Sequence, residues 1–324
     1  MLLMIPLALI LVPGYTVSRV PPPSLEAPKA DPAAIVVPEA APSVWLVDKQ
    51  GDIETYSNGL RIENRYAVSG RARGPYPAWA RSDVNPANPE WREQPAGLVY
   101  HTTESDLAPL EPEQNRALQR IGHEVLTFIA RRRAYHFVID RFGRVFRIVA
   151  ESDVAYHAGN SIWADDRRVY VNLNHSFLGV AFETRTEARA ATPAQVLSAR
   201  VLTQMLRGKY RIAAADCVTH AQVSVNPSNR LIGWHTDWAG NFPFLELGLG
   251  DNYGQPPAAM YAFGFGYDPS FVESTGARVW QGLIYAQEQV RRDAAARHLS
   301  VAQYKEALHK KYREIILKEK PDEI

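Results

Sequence analysis

The sequence predicts an α/β fold: a central mixed β-sheet flanked by helices, with a small N-terminal β unit ahead of it and C-terminal helices behind. Three observations carry this. The apolar runs Leu98-Val-Tyr, Tyr135-His-Phe-Val-Ile and Leu178-Gly-Val-Ala-Phe have the length and composition of buried strands. Two stretches with helical spacing alternate with them, from Pro112 to Ala130 and from Thr192 onward. Before them, residues 44–66 alternate apolar and polar side chains between turn signals, the pattern of half-buried antiparallel strands.

Taken in order, the chain opens on an apolar run, Met1 to Val12, with no charge before Arg19. Pro6 and Pro13 interrupt it, and it is short of the roughly 20 residues a membrane span needs. A secretory signal at 1–18 is expected, with a short uncleaved anchor as the alternative. A lipid anchor on cysteine is excluded, because the single cysteine is Cys217. Residues 19–43 carry Pro21-Pro-Pro and further prolines to Pro42, which fit neither helix nor central strand and predict an extended linker. The small β unit follows, with turns at Lys49-Gln-Gly-Asp and Ser57-Asn-Gly, and Arg71 to Pro95 reads as a loop, closing a segment at 44–95.

The α/β domain spans 96–268. Leu118, Ile121, Val125 and Phe128 lie on one helical face. Tyr135–Ile139 and Val145–Val149, joined by Arg141-Phe-Gly-Arg, predict a hairpin. Thr192-Pro-Ala-Gln predicts a capping box with proline at the first helical position, and Leu197, Val201, Leu202 and Met205 its buried stripe. Residues from Cys217 to about Pro269 read as irregular. A helical extension, 269–324, follows: Val279, Leu283 and Val290 mark one helix, and Ser300-Val-Ala-Gln caps another carrying Leu308, Tyr312 and Ile316.

Charge and cysteine content narrow the function. With 36 basic and 35 acidic residues, the net charge of +1 argues against a nucleic-acid binder. One cysteine excludes an internal disulfide, a four-cysteine zinc site and an iron–sulfur cluster. A metal would therefore sit on His, Asp or Glu. His101 ends an apolar strand, where α/β sheets place their sites. His220 follows another short apolar run, and Trp234-His235-Thr-Asp237-Trp238 lies in a loop. Two imidazoles and a carboxylate form a common catalytic zinc set with one position open to water. Cys217 and His220 form a C-x-x-H pair that could bind metal instead, although a buried Cys is more often a small hydrophobe.

Together these segments resemble the zinc-dependent N-acetylmuramoyl-L-alanine amidases, whose fold is shared with phage lysozyme-type amidases and peptidoglycan recognition proteins. Leu98-Val-Tyr-His-Thr-Thr resembles the first-ligand strand, and Ala134-Tyr-His-Phe-Val-Ile-Asp-Arg-Phe-Gly-Arg-Val the hairpin with a catalytic tyrosine. Ala155-Tyr-His-Ala-Gly-Asn-Ser resembles the His-Ala-Gly-x-Ser motif beside the cleft, and Asn174-His-Ser-Phe-Leu-Gly-Val the Asn-x-x-Ser-Ile-Gly-Ile strand. Val218-Thr-His220 resembles the second-ligand strand, and Asp237-Trp-Ala-Gly-Asn-Phe-Pro-Phe the segment with the third ligand. The matches run in order from about Gly97 to Leu247.

The resemblance implies Zn²⁺ on His101, His220 and Asp237, with His235 as the alternative third ligand and Asp237 behind it. It implies catalytic roles for Tyr135, His235 and Glu183 and substrate contacts from His157 and Asn160. One branch of the family places a catalytic glutamate where this chain has Ala181; Glu183, two residues on, would share Ala181's face on a continuing strand. The implied activity is hydrolysis of the amide between N-acetylmuramic acid and L-alanine in peptidoglycan, or its fragments, by an exported protein of the periplasm, cell envelope or medium. N-terminal membrane attachment is compatible with the leader. The alternatives are a non-catalytic peptidoglycan-binding module of the same fold, a small-molecule metalloamidase, and a protein that interacts through its C-terminal helices.

Overall fold

The computed structural model describes residues 43–187 and 190–319. The leader and all of the proline-rich linker except its last residue, Ser43, lie outside the described residues.

The first half of the chain forms β1 (Leu46–Gln50), β2 (Ile53–Tyr56), β3 (Arg61–Glu63), β4 (Arg71–Ala72), β5 (Tyr76–Ala80), β6 (Glu90–Arg92), β7 (Gly97–Thr102), α1 (Asn115–Arg132), β8 (Phe137–Ile139), β9 (Val145–Arg147) and β10 (Asp153–Val154). It continues through β11 (Ile162–Ala164), β12 (Arg168–Val171), β13 (Phe177–Phe182), α2 (Pro193–Tyr210), β14 (Cys217–Thr219), α3 (His220–Val223), β15 (Val225–Asn226) and β16 (Leu231–Ile232). Four helices close it: α4 (Ala258–Phe263), α5 (Pro269–Ser274), α6 (Trp280–Ala296) and α7 (Val301–Glu319).

The central sheet is mixed, in the order β1-β2-β3-β9-β8-β13-β7-β14. β13 runs parallel to both β7 and β8, and β14 runs parallel to β7, so α1 and α2 serve as crossovers between parallel strands. The expected small β unit is joined to this sheet: β3 pairs in parallel with β9, through Ile62↔Val145.

Alternation along the strands decides what each face meets. Leu98, Tyr100, Val180 and Phe182 pack with Leu202 and Leu206 of α2. Val138 and Ala181, on the other face, pack with Leu126 and Ile129 of α1. Val99, Phe177 and Val218 meet a second, antiparallel sheet of order β11-β12-β5-β6. That sheet holds much of the segment expected to be a loop. Pro75 and Pro77 dilute its local strand signal, and β5 takes its strand conformation from pairing with β12 and β6.

Two helical faces differ from expectation. In α1 the buried residues are Leu118, Leu126 and Ile129, while Phe128 is 60% exposed with the Arg132 guanidinium over its ring. The stripe is rotated by about one residue, because α1 docks on Val138 and Ala181 through Ile129. In α2 the capping box between Thr192 and Gln195 forms and Leu202 and Met205 are buried, but Leu197 is exposed and Ala199 and Leu206 complete the stripe. The C-terminal helices join the same buried cluster as the sheet through Phe263, Leu283 and Tyr312.

Candidate active site

At the C-terminal ends of β7 and β14 lies an open cavity of about 550 Å³, lined by His101, Tyr135, His157, His220, His235 and Asp237 among others. Strand alternation explains why the two ligand candidates point the same way. His101 follows Tyr100, whose hydroxyl is bonded to Thr203 of α2, so His101 faces the opposite side of the sheet. His220 follows Thr219, which caps α3 and whose hydroxyl meets Tyr253 at 2.8 Å. Cys217, two residues before Thr219 and on its face, is buried in the α2 side of the core, and burial pushes its thiol up to about 12. The C-x-x-H pair therefore does not converge.

Asp237 reaches both imidazoles from its loop. Its Oδ2 is 3.3 Å from His101 Nδ1 and its Oδ1 is 3.0 Å from His220 Nδ1. All three side chains are buried, with ligand atoms within 4.8 Å of one another. Burial acts to raise the Asp237 carboxyl, but His220 and His101 beside it outweigh this and hold it well below the usual carboxylate range. Burial and the neighbouring His220 pull His101 down to about 4, so at neutral pH it is an uncharged imidazole.

The tautomers follow from the network. His157 Nε2 lies 3.2 Å from the Phe177 carbonyl and must donate to it. Its Nδ1 then accepts from His101 Nε2 at 3.1 Å. That leaves the His101 Nδ1 lone pair facing a carboxylate oxygen. Two electron-pair donors at this separation call for a cation between them, and a neutral His101 imidazole beside an ionised Asp237 carboxylate is in the protonation state that a zinc ion requires. The residues present fit the metal. His157 packs so closely on β13 that a Cβ at Gly179 would lie 2.6 Å from its Cγ. It acts on His101 from behind, as well as lining the cavity.

The other expected residues divide. Tyr135 lines the cavity in a left-handed conformation (φ 62°), its ring 5.0 Å from that of His101, and burial with Asp237 and Glu104 nearby raises its phenol. His136 turns inward and is fully buried, accepting at Nδ1 from Gly179 N–H. His235 stacks on His220 at 4.6 Å, and burial and His220 lower its pKa. Its ring lies beside the set, while Asp237 bridges the two imidazoles.

Glu183 does not line the cavity. β13 ends at Phe182, and the Glu183 carboxylate turns to accept from the Arg141 backbone N–H at 3.2 Å. Asn160 is exposed and outside the lining; its carbonyl accepts from Val225 N–H. Asn174 takes the position beside His157, its Oδ1 accepting from the His157 and Ala158 N–H groups at 2.8 and 2.7 Å. Glu104, Thr102 and Thr186 also line the cavity, and sequence reasoning did not single them out. For Glu104 the available signal was its place three residues after His101.

The sequence profile of a family described as N-acetylmuramoyl-L-alanine amidase matches residues 91–259, just over half of the chain. No curated protein matches the chain. Among solved structures, it is similar to the amidase AmiD from E. coli in complex with an anhydro-N-acetylmuramic acid peptide (18% identity, 84% of this chain and 99% of that one, TM-score 0.39). It is similar as well to AmpDh3 from Pseudomonas aeruginosa (19% identity, 58% and 82%, TM-score 0.39). A third is the amidase LysC from Clostridium intestinale URNW (24% identity, 48% and 83%, TM-score 0.31).

Proposed function

From the premise that the chain belongs to the N-acetylmuramoyl-L-alanine amidase family, we propose that it hydrolyses the amide between the lactyl group of N-acetylmuramic acid and L-alanine in peptidoglycan. We assign a zinc ion to His101, His220 and Asp237. The observation that supports this most is the bare His101 Nδ1 facing the Asp237 carboxylate, fixed by the relay through His157.

A zinc ion held there supplies a Lewis acid for the amide carbonyl and lowers the pKa of water toward ~7. The protein does the rest. Asp237 stays ionised and His101 stays neutral, so on neither does a proton compete with the metal for the donor lone pair. The raised phenol of Tyr135 keeps its proton and serves as a hydrogen-bond donor to the oxyanion that develops on the carbonyl. His235, with its lowered pKa, is a neutral ring at neutral pH and can offer one N–H donor to the same charge. His157 fixes the His101 ring from behind. Trp234 and Tyr156, both exposed at the cavity, offer flat faces for sugar rings.

The rival reading is a non-catalytic peptidoglycan-binding module. A complete donor set favours the enzyme. The export expected from the leader is consistent with a wall substrate, and we assign the protein to the cell envelope or its exterior. The test is dye release from labelled sacculi, with the new L-alanine N-termini counted, for zinc-loaded and chelator-stripped protein. Release only with zinc supports the enzyme. Binding to sacculi with no release and no new N-termini supports the module.

A further inference from the structure

Hydrolysis of an amide needs a group that takes a proton from water and gives one to the leaving nitrogen. Among the described residues, two carboxylates line the cavity: Asp237 and Glu104. Asp237 is engaged by both imidazoles. Tyr135 brings a phenol and no carboxylate, and Glu183 is turned to the Arg141 backbone outside the cavity. Ala181, which stands beside His101 in the sheet register, brings no carboxylate.

Glu104 is placed by unusual means. The chain leaves β7 at Thr102 and passes through a left-handed conformation at Glu104 (φ 52°), which a side chain with a Cβ rarely adopts and which concentrates at functional sites. Its backbone N–H donates to Thr184 O at 3.1 Å. Its Oε1 accepts from Thr186 N–H at 2.8 Å, from Thr186 Oγ1 at 2.6 Å and from Thr102 Oγ1. All three bonds fall on one oxygen. Among the described residues Oε2 has no hydrogen-bond partner, on an exposed residue that lines the cavity. One oxygen is fixed and the other is left to accept. That is how a general base is held in a defined orientation.

We infer that Glu104 is the proton-transferring carboxylate of this enzyme, reaching the cleft from the exit of β7. The inference rests on the amidase reading. As a water oxygen bonds to the carbonyl carbon, Oε2 takes one of its protons. The same proton passes to the amide nitrogen as the C–N bond breaks. The products are the lactyl carboxylic acid and the alanyl amine, which leave as carboxylate and ammonium after the remaining acid proton transfers between them. Glu104 ends as it began.

The experiment uses the zinc-loaded protein and three chains: wild type, Glu104→Gln and Thr186→Val. Substrates are a muramoyl-L-alanyl peptide and a muramoyl p-nitroanilide, whose leaving nitrogen needs far less help from a proton. Glu104→Gln keeps the acceptor for Thr186 and removes the base. Its kcat on the peptide should fall ~10²–10⁴-fold, with zinc content unchanged and KM within ~3-fold, and the loss should shrink at least ~10-fold on the anilide. Thr186→Val should lose kcat more mildly at unchanged zinc content. A kcat in Glu104→Gln within ~3-fold of wild type overturns the inference. So does an equal loss on both substrates with a raised KM, which makes Glu104 a binding residue. If Glu104→Gln fails to fold or to hold zinc, Thr186→Val decides, and an unchanged kcat there overturns it. A zinc-loaded wild type that cleaves neither substrate nor sacculi overturns the amidase reading itself, and this inference with it.

Discussion

The indole Nε1 of Trp238 donates to the carbonyl of His101 at 2.8 Å, across 137 residues of sequence. Trp238 follows Asp237 and takes a left-handed conformation (φ 62°). Its own carbonyl accepts from the Tyr253 hydroxyl, which also meets Thr219 beside His220. The three candidate ligands thus sit on segments bonded to one another through buried groups. In a low-dielectric interior such bonds are costly to break, so they hold the donor set in place ahead of any metal.

The choice between Asp237 and His235 as third ligand can be read in metal content. Asp237→Ala should abolish zinc retention and activity while the chain stays folded, because Asp237 lies on a loop outside the central sheet. His235→Ala should keep zinc and lose part of the activity, since it stacks on His220 without bridging to His101. Metal analysis after gel filtration checks both. Retention in Asp237→Ala with loss in His235→Ala would reverse the assignment.

His157 should control metal affinity without contacting the ion. His157→Phe keeps a ring but removes the acceptor for His101 Nε2–H, so the imidazole is no longer held in one tautomer. Loss of such a partner weakens metal binding about 10–100-fold. Competition with a chromogenic chelator measures this, and an affinity equal to wild type would show that the relay does not matter.

Tyr135 and Glu183 should separate cleanly. Tyr135→Phe removes a donor from the cavity and should lower kcat ~10²–10³-fold, the usual cost of one oxyanion donor. Glu183→Gln should leave kcat within ~3-fold, because its carboxylate lies outside the cavity against the Arg141 N–H. Steady-state kinetics on a muramoyl peptide checks the order.

His136 predicts acid sensitivity. Burial and the Arg73 guanidinium pull its imidazole down to about 3, against ~6.5 unfolded. The unfolded chain therefore binds the extra proton first. The stability this group contributes is complete above about pH 6.5 and is lost as pH falls toward 3, at up to about 1.4 kcal/mol per pH unit. Buried His101 and His157 act in the same direction. Urea unfolding at several pH values should give a shallower pH slope for His136→Asn than for wild type. Equal slopes would show that His136 titrates freely.

Local chemistry was legible wherever a residue's neighbours in sequence are its neighbours in space. The Thr192–Gln195 capping box formed as read, because its two partners are three residues apart. The 71–95 segment was not legible as strand, since its partner β12 arrives some 90 residues later and the prolines mask the local pattern. Phe128 and Leu197 were misplaced for a related reason: periodicity finds an apolar face, but the docking surface decides its rotation by one residue.

By itself, then, the sequence determined the α/β alternation, the strand that presents His101 and the residue types of a His-His-Asp set. Those depend on two- and four-residue periods and on motif order, which a linear chain carries. Tertiary structure alone decided that Asp237 bridges His101 and His220, that Glu183 lies outside the cavity while Glu104 lines it, and that Asn160 stays outside the lining while Asn174 holds the His157 backbone. The reason is geometric. Each of these outcomes turns on where a strand ends or how a loop folds back, and a single left-handed residue such as Glu104 or Trp238 redirects a side chain with no trace in the periodicity around it.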